Sequence, residues 1–324
     1  MVWCESGLTG ERRWRRRREA LSQGAAGVRR PTELRGGAVV AGSAPAQAAL
    51  TVAEHEDHGR IQYYKLTTPS VGRLPRVNVL LPDGYDTSRR YPVLFLLHDG
   101  GENYSTFNAK YDIRNHTAGR SLIVVMPDGG AAGWYCDPES SNVGPCNWET
   151  FHIKELIPWG DATFATTGQP SGRAISGFSM GGFGALKYAA KYPELFGSVS
   201  SHSGPADLRI QDGAVVHWAN FTAGATDLKG GTIYGIPWDR ARVSADNPVE
   251  HVESYRGKRI FLVSGTDSDR YESIVLPSQR SFEKALDGAG IGYEHYEDTG
   301  AHIVRWGRIQ QDIDSLLNHF AKVG

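Results

Sequence analysis

From about residue 60 onward the apolar residues come in short continuous runs. "RIQYYKLTT", "RVNVLLP", "YPVLFLLHDGG" and "SLIVVMPDGG" are rich in β-branched and aromatic residues, and each ends at Pro, Gly or Asp, as strands do. Helix-like stretches then interleave with strands. "NWETFHIKELIPWGDATF" precedes a strand ending near Phe178; "GGFGALKYAAKYPELF" follows it, then the strands "GSVSSHSG" and "RIFLVSG", a helix over "LPSQRSFEKALDGAG", a short strand "YEHYED" and a closing helix "RWGRIQQDIDSLLNHFAK". Strands that are apolar throughout belong to a sheet covered on both faces, and alternation with helices implies parallel crossovers. The pattern predicts an α/β protein: a mostly parallel central sheet with helices on both faces, in one body over residues 51–324. Residues 205–256 interrupt the alternation with Trp218, Phe221, Tyr234 and Trp238 among glycines and polar residues. They read either as a cap over a site or as an excursion that packs its own aromatics.

In an open α/β sheet the ligand crevice lies outside the carboxyl ends of the strands. Four segments are expected there: His98–Gly101, Ser179, Gly265–Asp269 and the loop before His302. One of them carries Gly177-Phe178-Ser179-Met180-Gly181, a G-x-S-x-G match in which a sharp strand-to-helix turn lifts a serine clear of the sheet, and only glycines leave room for the neighbouring backbone. The same five residues arise by chance in many proteins, so the order of its partners decides. A serine hydroxyl needs a neighbouring base to become a nucleophile. In this architecture an acid follows after a later strand, and a histidine precedes the last helix.

Both are present in that order. "EDTGAHIVRW" sets His302 after a glycine turn ahead of the closing helix, which singles it out among eleven histidines. "FLVSGTDSD" supplies carboxylates beyond a strand; Asp269 is the expected acid, Asp267 is the alternative, and Glu272 follows closely. The oxyanion is expected to meet the N–H of Met180, next after the serine, and that of Gly101 in "HDGG". No H-E-x-x-H, C-x-x-C, P-loop or dinucleotide glycine motif accompanies these residues, so neither metal nor cofactor is expected.

Charge and composition narrow the partners. The formal net charge of −1 conceals nine arginines against four glutamates in residues 1–50, which leaves −6 on the body. A mildly acidic body has no electrostatic footprint for nucleic acid, and "RRWRRRR" reads as a solvated tail. No run approaches the roughly 18 apolar residues that cross a bilayer, so no integral membrane segment is expected. Residues 1–50 read as a leader or disordered extension. Ala46-Gln47-Ala48 fits a small-x-small cleavage site, and this points to a secreted or envelope protein. Loss of that segment removes Cys4 and leaves Cys136 and Cys146 in "WYCDPESSNVGPCNWE", an even pair expected to form a disulfide.

The sequence resembles the putative-esterase family of α/β-hydrolases, which includes S-formylglutathione hydrolases, esterase domains of some xylanases and the antigen 85 mycolyltransferases. The likeness runs from about Val77 to the C-terminus through "VNVLLPDGYD", "YPVLFLLHDGG", "VVMPDGG", "GWY", "NWETFHIKELIPW", "GFSMGGFGALKYAAKYPELFGSVSSHSG" and "GAH". It implies an α/β-hydrolase fold, a Ser179 nucleophile, a His302 base, an acid in the Gly265–Asp269 loop, and amides at Gly101 and Met180. "GWY" and "NWETF" look closest to the antigen 85 branch, whose members move acyl chains between sugars. Here Glu102 replaces that branch's arginine after the oxyanion residue, and Ile303-Val304 replaces its Ser-Trp. The expected activity is therefore a cofactor-free serine esterase acting on a small-molecule, glycolipid or polysaccharide ester. Acyl transfer to a sugar is the alternative, and a non-catalytic binding protein on the same fold is the rival from another class.

Overall fold

A computed structural model describes residues 50–323. The leader reading of residues 1–50 falls almost wholly outside them. Among the described residues nine strands form one sheet: β1 (Thr51–His58), β2 (Ile61–Thr67), β3 (Arg76–Leu80), β4 (Val93–Leu97), β5 (Ile123–Pro127), β6 (Arg173–Phe178), β7 (Ser198–His202), β8 (Arg259–Gly265) and β9 (Glu294–Asp298). Their order is β1-β2-β3-β5-β4-β6-β7-β8-β9. The pairings from β1 to β5 are antiparallel, and those from β5 through β4 to β9 are parallel. This is the mostly parallel α/β sheet that the apolar runs predict, in the α/β-hydrolase architecture that the family resemblance implies.

The parallel strands are apolar throughout because both faces are covered. Along β4, Val93, Phe95 and Leu97 join the apolar layer on one face while Leu94 and Leu96 join the layer on the other. The helices supply both layers. In chain order they are α1 (Thr106–Ala109), α2 (Ile113–His116), α3 (Trp148–Thr150), α4 (Ile157–Thr163), α5 (Met180–Lys191), α6 (Ile210–Ala225), α7 (Arg240–Asp246), α8 (Glu272–Ala289) and α9 (Trp306–Val323). A π-helical stretch, Phe151–Leu156, joins α3 to α4. α9 turns Ile309, Ile313, Leu316 and Phe320 onto the second layer, a helical spacing that makes one apolar stripe.

Helices α1, α2, α6 and α7 have no counterpart in the sequence pattern, and two further elements differ from it in an instructive way. β1 is exposed along its whole length and carries no apolar alternation; backbone pairing to β2 and side-chain contacts such as those of His55 with Gln62 and Tyr64 hold it, so hydrophobicity gave no sign of it. α8 begins at Glu272, several residues ahead of the expected start, because Pro277 reads as a helix opener yet lies inside the helix.

The disulfide expectation is corrected. Cys136 and Cys146 are both free thiols. The Cys136 sulfur turns into the core, where it donates to the Trp134 carbonyl at 3.0 Å and accepts from the Lys187 ammonium at 3.2 Å, and burial pushes its pKa up to about 12. Lys187 is itself fully buried, paired with Glu149 at 2.6 Å and Asp246 at 3.5 Å. Cys146 lies half-buried beside the Ser141 hydroxyl instead, with its backbone bridged to Val71. The inward sulfur belongs to the ion cluster beneath α5, and that contact holds it away from its neighbour in sequence.

Candidate active site

The carboxyl edge of the parallel strands gathers the four segments expected there. Ser179 stands between β6 and α5 at φ 55° and ψ −117°, a strained conformation for a residue with a side chain. Its neighbours show why glycines flank it. A Cβ on Gly177 would come within 2.3 Å of the Gly181 backbone, and one on Gly181 would come within 2.2 Å of the Leu97 carbonyl oxygen. The elbow closes only without those atoms. The Ser179 N–H donates to the His202 carbonyl at 2.8 Å, which ties the turn to the end of β7.

His302 arrives from the loop between β9 and α9. Its Nε2 is 2.7 Å from Ser179 Oγ, and its Nδ1 is 3.1 Å from Oε1 of Glu272. With a carboxylate against Nδ1, the proton sits on that nitrogen and Nε2 is left to accept from the hydroxyl. The imidazole packs between Phe178, at a ring-centroid distance of 4.9 Å, and Tyr271 at 5.1 Å. Glu272 is buried, and its Oε2 has no partner among the described residues, so His302 is its one polar contact on that side chain.

The carboxylate that faces the imidazole is therefore Glu272, about one helical turn past the expected Asp269. Asp269 does not reach the imidazole. Its Oδ1 accepts the N–H groups of Tyr271 and Glu272 at 2.7 and 2.8 Å, and its Oδ2 accepts the N–H of His302 at 2.7 Å. Burial acts to raise its pKa, but these three donors override it and hold the carboxyl below its usual range. Asp269 thus caps the start of α8 and fastens the histidine's backbone to it. Asp267 is farther out, accepting the Gly300 N–H at 3.2 Å. Asp269 and Glu272 stand in D-x-x-E spacing, the signature of a helix start, and that signal assigns the first as cap and the second as first-turn residue.

The "HDGG" turn follows β4. Buried His98 fixes it: Nδ1 faces the Asp99 carbonyl at 2.7 Å, Nε2 accepts the Gly129 N–H at 2.9 Å, and the Tyr135 hydroxyl donates to the His98 carbonyl at 2.9 Å. Burial drives the His98 pKa down, so the ring serves as a neutral brace. Met180 is the first residue of α5, and its N–H has no carbonyl one turn back within the helix. Gly101 differs from expectation. At φ 76° its N–H donates to the Ala131 carbonyl at 2.6 Å, so this amide is engaged across the turn. Asp99 lies beside Ser179; burial raises its carboxyl pKa above the usual range, against the opposing pull of the Ser179 hydroxyl and His302. Glu102 ion-pairs with Lys110 at 2.8 Å.

Above these groups is a cleft of about 370 Å³ lined by Asp99, Gly101, Ala131, Trp134, Trp218, Tyr271 and others, with Ser179 and His302 at its base. Trp218 and Thr222 reach it from α6, so part of the interrupting segment lines the site, while Tyr234 from the same segment is buried in the core. No group of three or more His, Cys, Asp or Glu among the described residues could hold a metal ion. No described helix is long and apolar enough to cross a membrane.

The sequence profile described as Putative esterase matches residues 68–313. The chain belongs to that family. Esterase Rv1288 of Mycobacterium tuberculosis (strain ATCC 25618 / H37Rv) is 54% identical over 277 residues, a match that covers 82% of this chain and 60% of the relative. The chain thus spans about 60% of that relative's length. Diacylglycerol acyltransferase/mycolyltransferase Ag85A of Mycobacterium leprae (strain TN) is 34% identical over 309 residues, covering 87% of this chain and 88% of the relative. A solved S-formylglutathione hydrolase from Agrobacterium tumefaciens superposes with a TM-score of 0.67 at 20% identity, over 84% of this chain and 99% of that one, a likeness of fold.

Proposed function

We propose that this chain is a carboxylic-ester hydrolase that works through an acyl-enzyme on Ser179. The observation that carries the reading is the ordered run Ser179 Oγ, His302, Glu272, with contacts of 2.7 and 3.1 Å, at the base of an open cleft. His302 Nε2 takes the hydroxyl proton as Ser179 attacks the ester carbonyl. Glu272 holds the Nδ1–H tautomer and stabilises the imidazolium that forms. The tetrahedral oxygen is received by the Met180 N–H. The Gly101 amide joins it only once its bond to the Ala131 carbonyl has been given up. Collapse expels the alcohol with the proton from His302; a water activated by the same nitrogen then releases the acid and restores the hydroxyl.

Membership of the esterase family and the 54% identity to an esterase support this chemistry. The 34% identity to a mycolyltransferase keeps one other acceptor in view: a sugar hydroxyl in place of water, attacking the same acyl-enzyme. Rapid-mixing hydrolysis of a 4-nitrophenyl short-chain ester tests the reading. The expected result is a burst of about one nitrophenol per chain before steady turnover. Release with no dependence on Ser179 would overturn it. Added sugar that raises nitrophenol release while acid release falls would assign the acceptor role to the sugar.

A further inference from the structure

We propose that Arg270 is a specificity-determining residue that selects esters carrying an anionic oxygen group, a carboxylate or a phosphate, at the mouth of the cleft. The inference rests on the esterase reading above and adds a substrate class to it.

Arg270 lines the same cleft as Ser179 and is exposed there. It is the one arginine or lysine among the residues lining the cleft, and among the described residues it is in no ion pair. The carboxylates nearest in sequence are committed elsewhere. Asp269 spends both oxygens on backbone N–H groups of Tyr271, Glu272 and His302, and Glu272 faces the His302 ring. The guanidinium is nevertheless placed. It lies 4.4 Å from the centroid of the Tyr271 ring, which packs on His302 at 5.1 Å and on Trp218 at 5.2 Å. The stack runs from the reacting histidine outward to Arg270, so the cation's position is referred to the site.

The rest of the lining is carbon-rich: Ala131, Ala132, Trp134, Trp218 and the Tyr271 ring. The one carboxylate in the cleft, Asp99, is beside the nucleophile and has its pKa raised by burial. An apolar trough ending in an uncompensated guanidinium suits an ester with an apolar body and one anionic end. A planar fork of N–H donors takes a carboxylate or phosphate through paired charge-assisted hydrogen bonds.

The test compares kcat/KM for matched esters in the wild type, Arg270→Gln, Arg270→Lys and Arg270→Glu. The pairs are 4-nitrophenyl hemiglutarate against 4-nitrophenyl valerate, with the charge on the acyl half, and a butyryl ester of glycerol phosphate against the same ester of glycerol, with the charge on the alcohol half. In at least one pair the wild type is expected to favour the anion by roughly fivefold or more, a preference that shrinks with added salt. The pair that shows it names the half of the ester that carries the anion. The ratio should fall to near one in Arg270→Gln, persist in part in Arg270→Lys and invert in Arg270→Glu. Ratios that are the same in wild type and Arg270→Gln for both pairs would overturn the inference. Failure of the esterase reading looks different, since neutral and anionic esters would then both go unhydrolysed by the wild type.

Discussion

Two groupings of serine, histidine and carboxylate lie on the parallel half of the sheet, and they are wired in different orders. In one, His302 stands between Ser179 at 2.7 Å and Glu272 at 3.1 Å. In the other, Asp312 of α9 stands at the centre and accepts from His202 at 3.0 Å, Ser200 at 2.7 Å, Ser176 at 3.3 Å and Arg259 at 2.7 Å. Burial does not separate them, for both histidine side chains are under a tenth exposed, at 7% and 3%. The difference is what each nitrogen can do. His302 offers Nε2 to a hydroxyl below an open cleft, whereas the Nδ1 of His202 has no partner among the described residues and its Nε2 is held by a saturated carboxylate. The same residue types therefore set a histidine nitrogen against a hydroxyl at a cleft in one place and pin a layer of sheet and helix in the other. The two are joined through backbone, because the His202 carbonyl takes the Ser179 N–H.

Breaking the first grouping has the largest expected effect. Ser179→Ala should lower kcat for a 4-nitrophenyl ester by about a thousandfold or more while the melting temperature stays within a few degrees. Activity within tenfold of wild type would remove Ser179 from the nucleophile's role. Glu272→Gln keeps the shape but no longer fixes the tautomer, and a loss on the order of a hundredfold or greater in kcat is expected. Asp269→Asn should cost less in kcat than Glu272→Gln, since it weakens a cap and a backbone tie without touching the imidazole. The reverse ranking in steady-state kinetics would return the acid's role to Asp269.

Breaking the second grouping should act on folding. Asp312→Asn leaves Arg259 buried beside a neutral amide, and denaturant unfolding should show a loss of about 3 kcal/mol. The folded fraction should keep its turnover within roughly tenfold, given that the groups it touches meet no substrate. The Asp312 carboxyl also sets a pH window. Burial acts to raise its pKa, yet Arg259 and the hydrogen bonds from His202 and Ser200 bring it down to about 2 from the usual 3.8. The unfolded chain therefore binds this proton more readily than the folded one. The resulting stability, about 2 kcal/mol, is complete above pH 4 to 5 and is lost as pH falls toward 2. Urea midpoints measured across that range in wild type and Asp312→Asn should converge at the acid end; parallel curves would contradict the assignment.

The smallest effect concerns the thiols. Alkylation of unreduced protein should label Cys146 in the native state and add Cys136 only after unfolding, with each site mapped by peptide mass. Protection of both cysteines after unfolding, lifted by reductant, would restore the disulfide.

The sheet and the serine were legible because their signals are local: apolar runs closed by breakers, and glycines at the two positions where the elbow admits no Cβ. His302 was legible from its place before the last helix. The carboxylate that faces the imidazole was not, since three carboxylates fall within six residues, and which of them reaches it depends on where α8 starts. Pro277 obscured that start, although the D-x-x-E spacing of Asp269 and Glu272 carried it. Gly101 was expected to offer its amide to the oxyanion, but an amide's acceptor is a tertiary fact: Ala131, from the loop after β5, takes that N–H. The cysteine pair failed for a similar reason. Their spacing permits a bridge, but the Lys187 ion cluster 51 residues away from Cys136 turns one sulfur inward.

The wiring of the first grouping is most directly read by covalent capture. Wild-type protein treated with an alkyl fluorophosphonate should gain a single adduct by intact mass, mapped to Ser179, with labelling slowed by orders of magnitude in His302→Ala and clearly in Glu272→Gln but little in Asp269→Asn. An adduct on another residue, or unmodified Ser179 in protein whose esterase activity the reagent has abolished, would contradict the account.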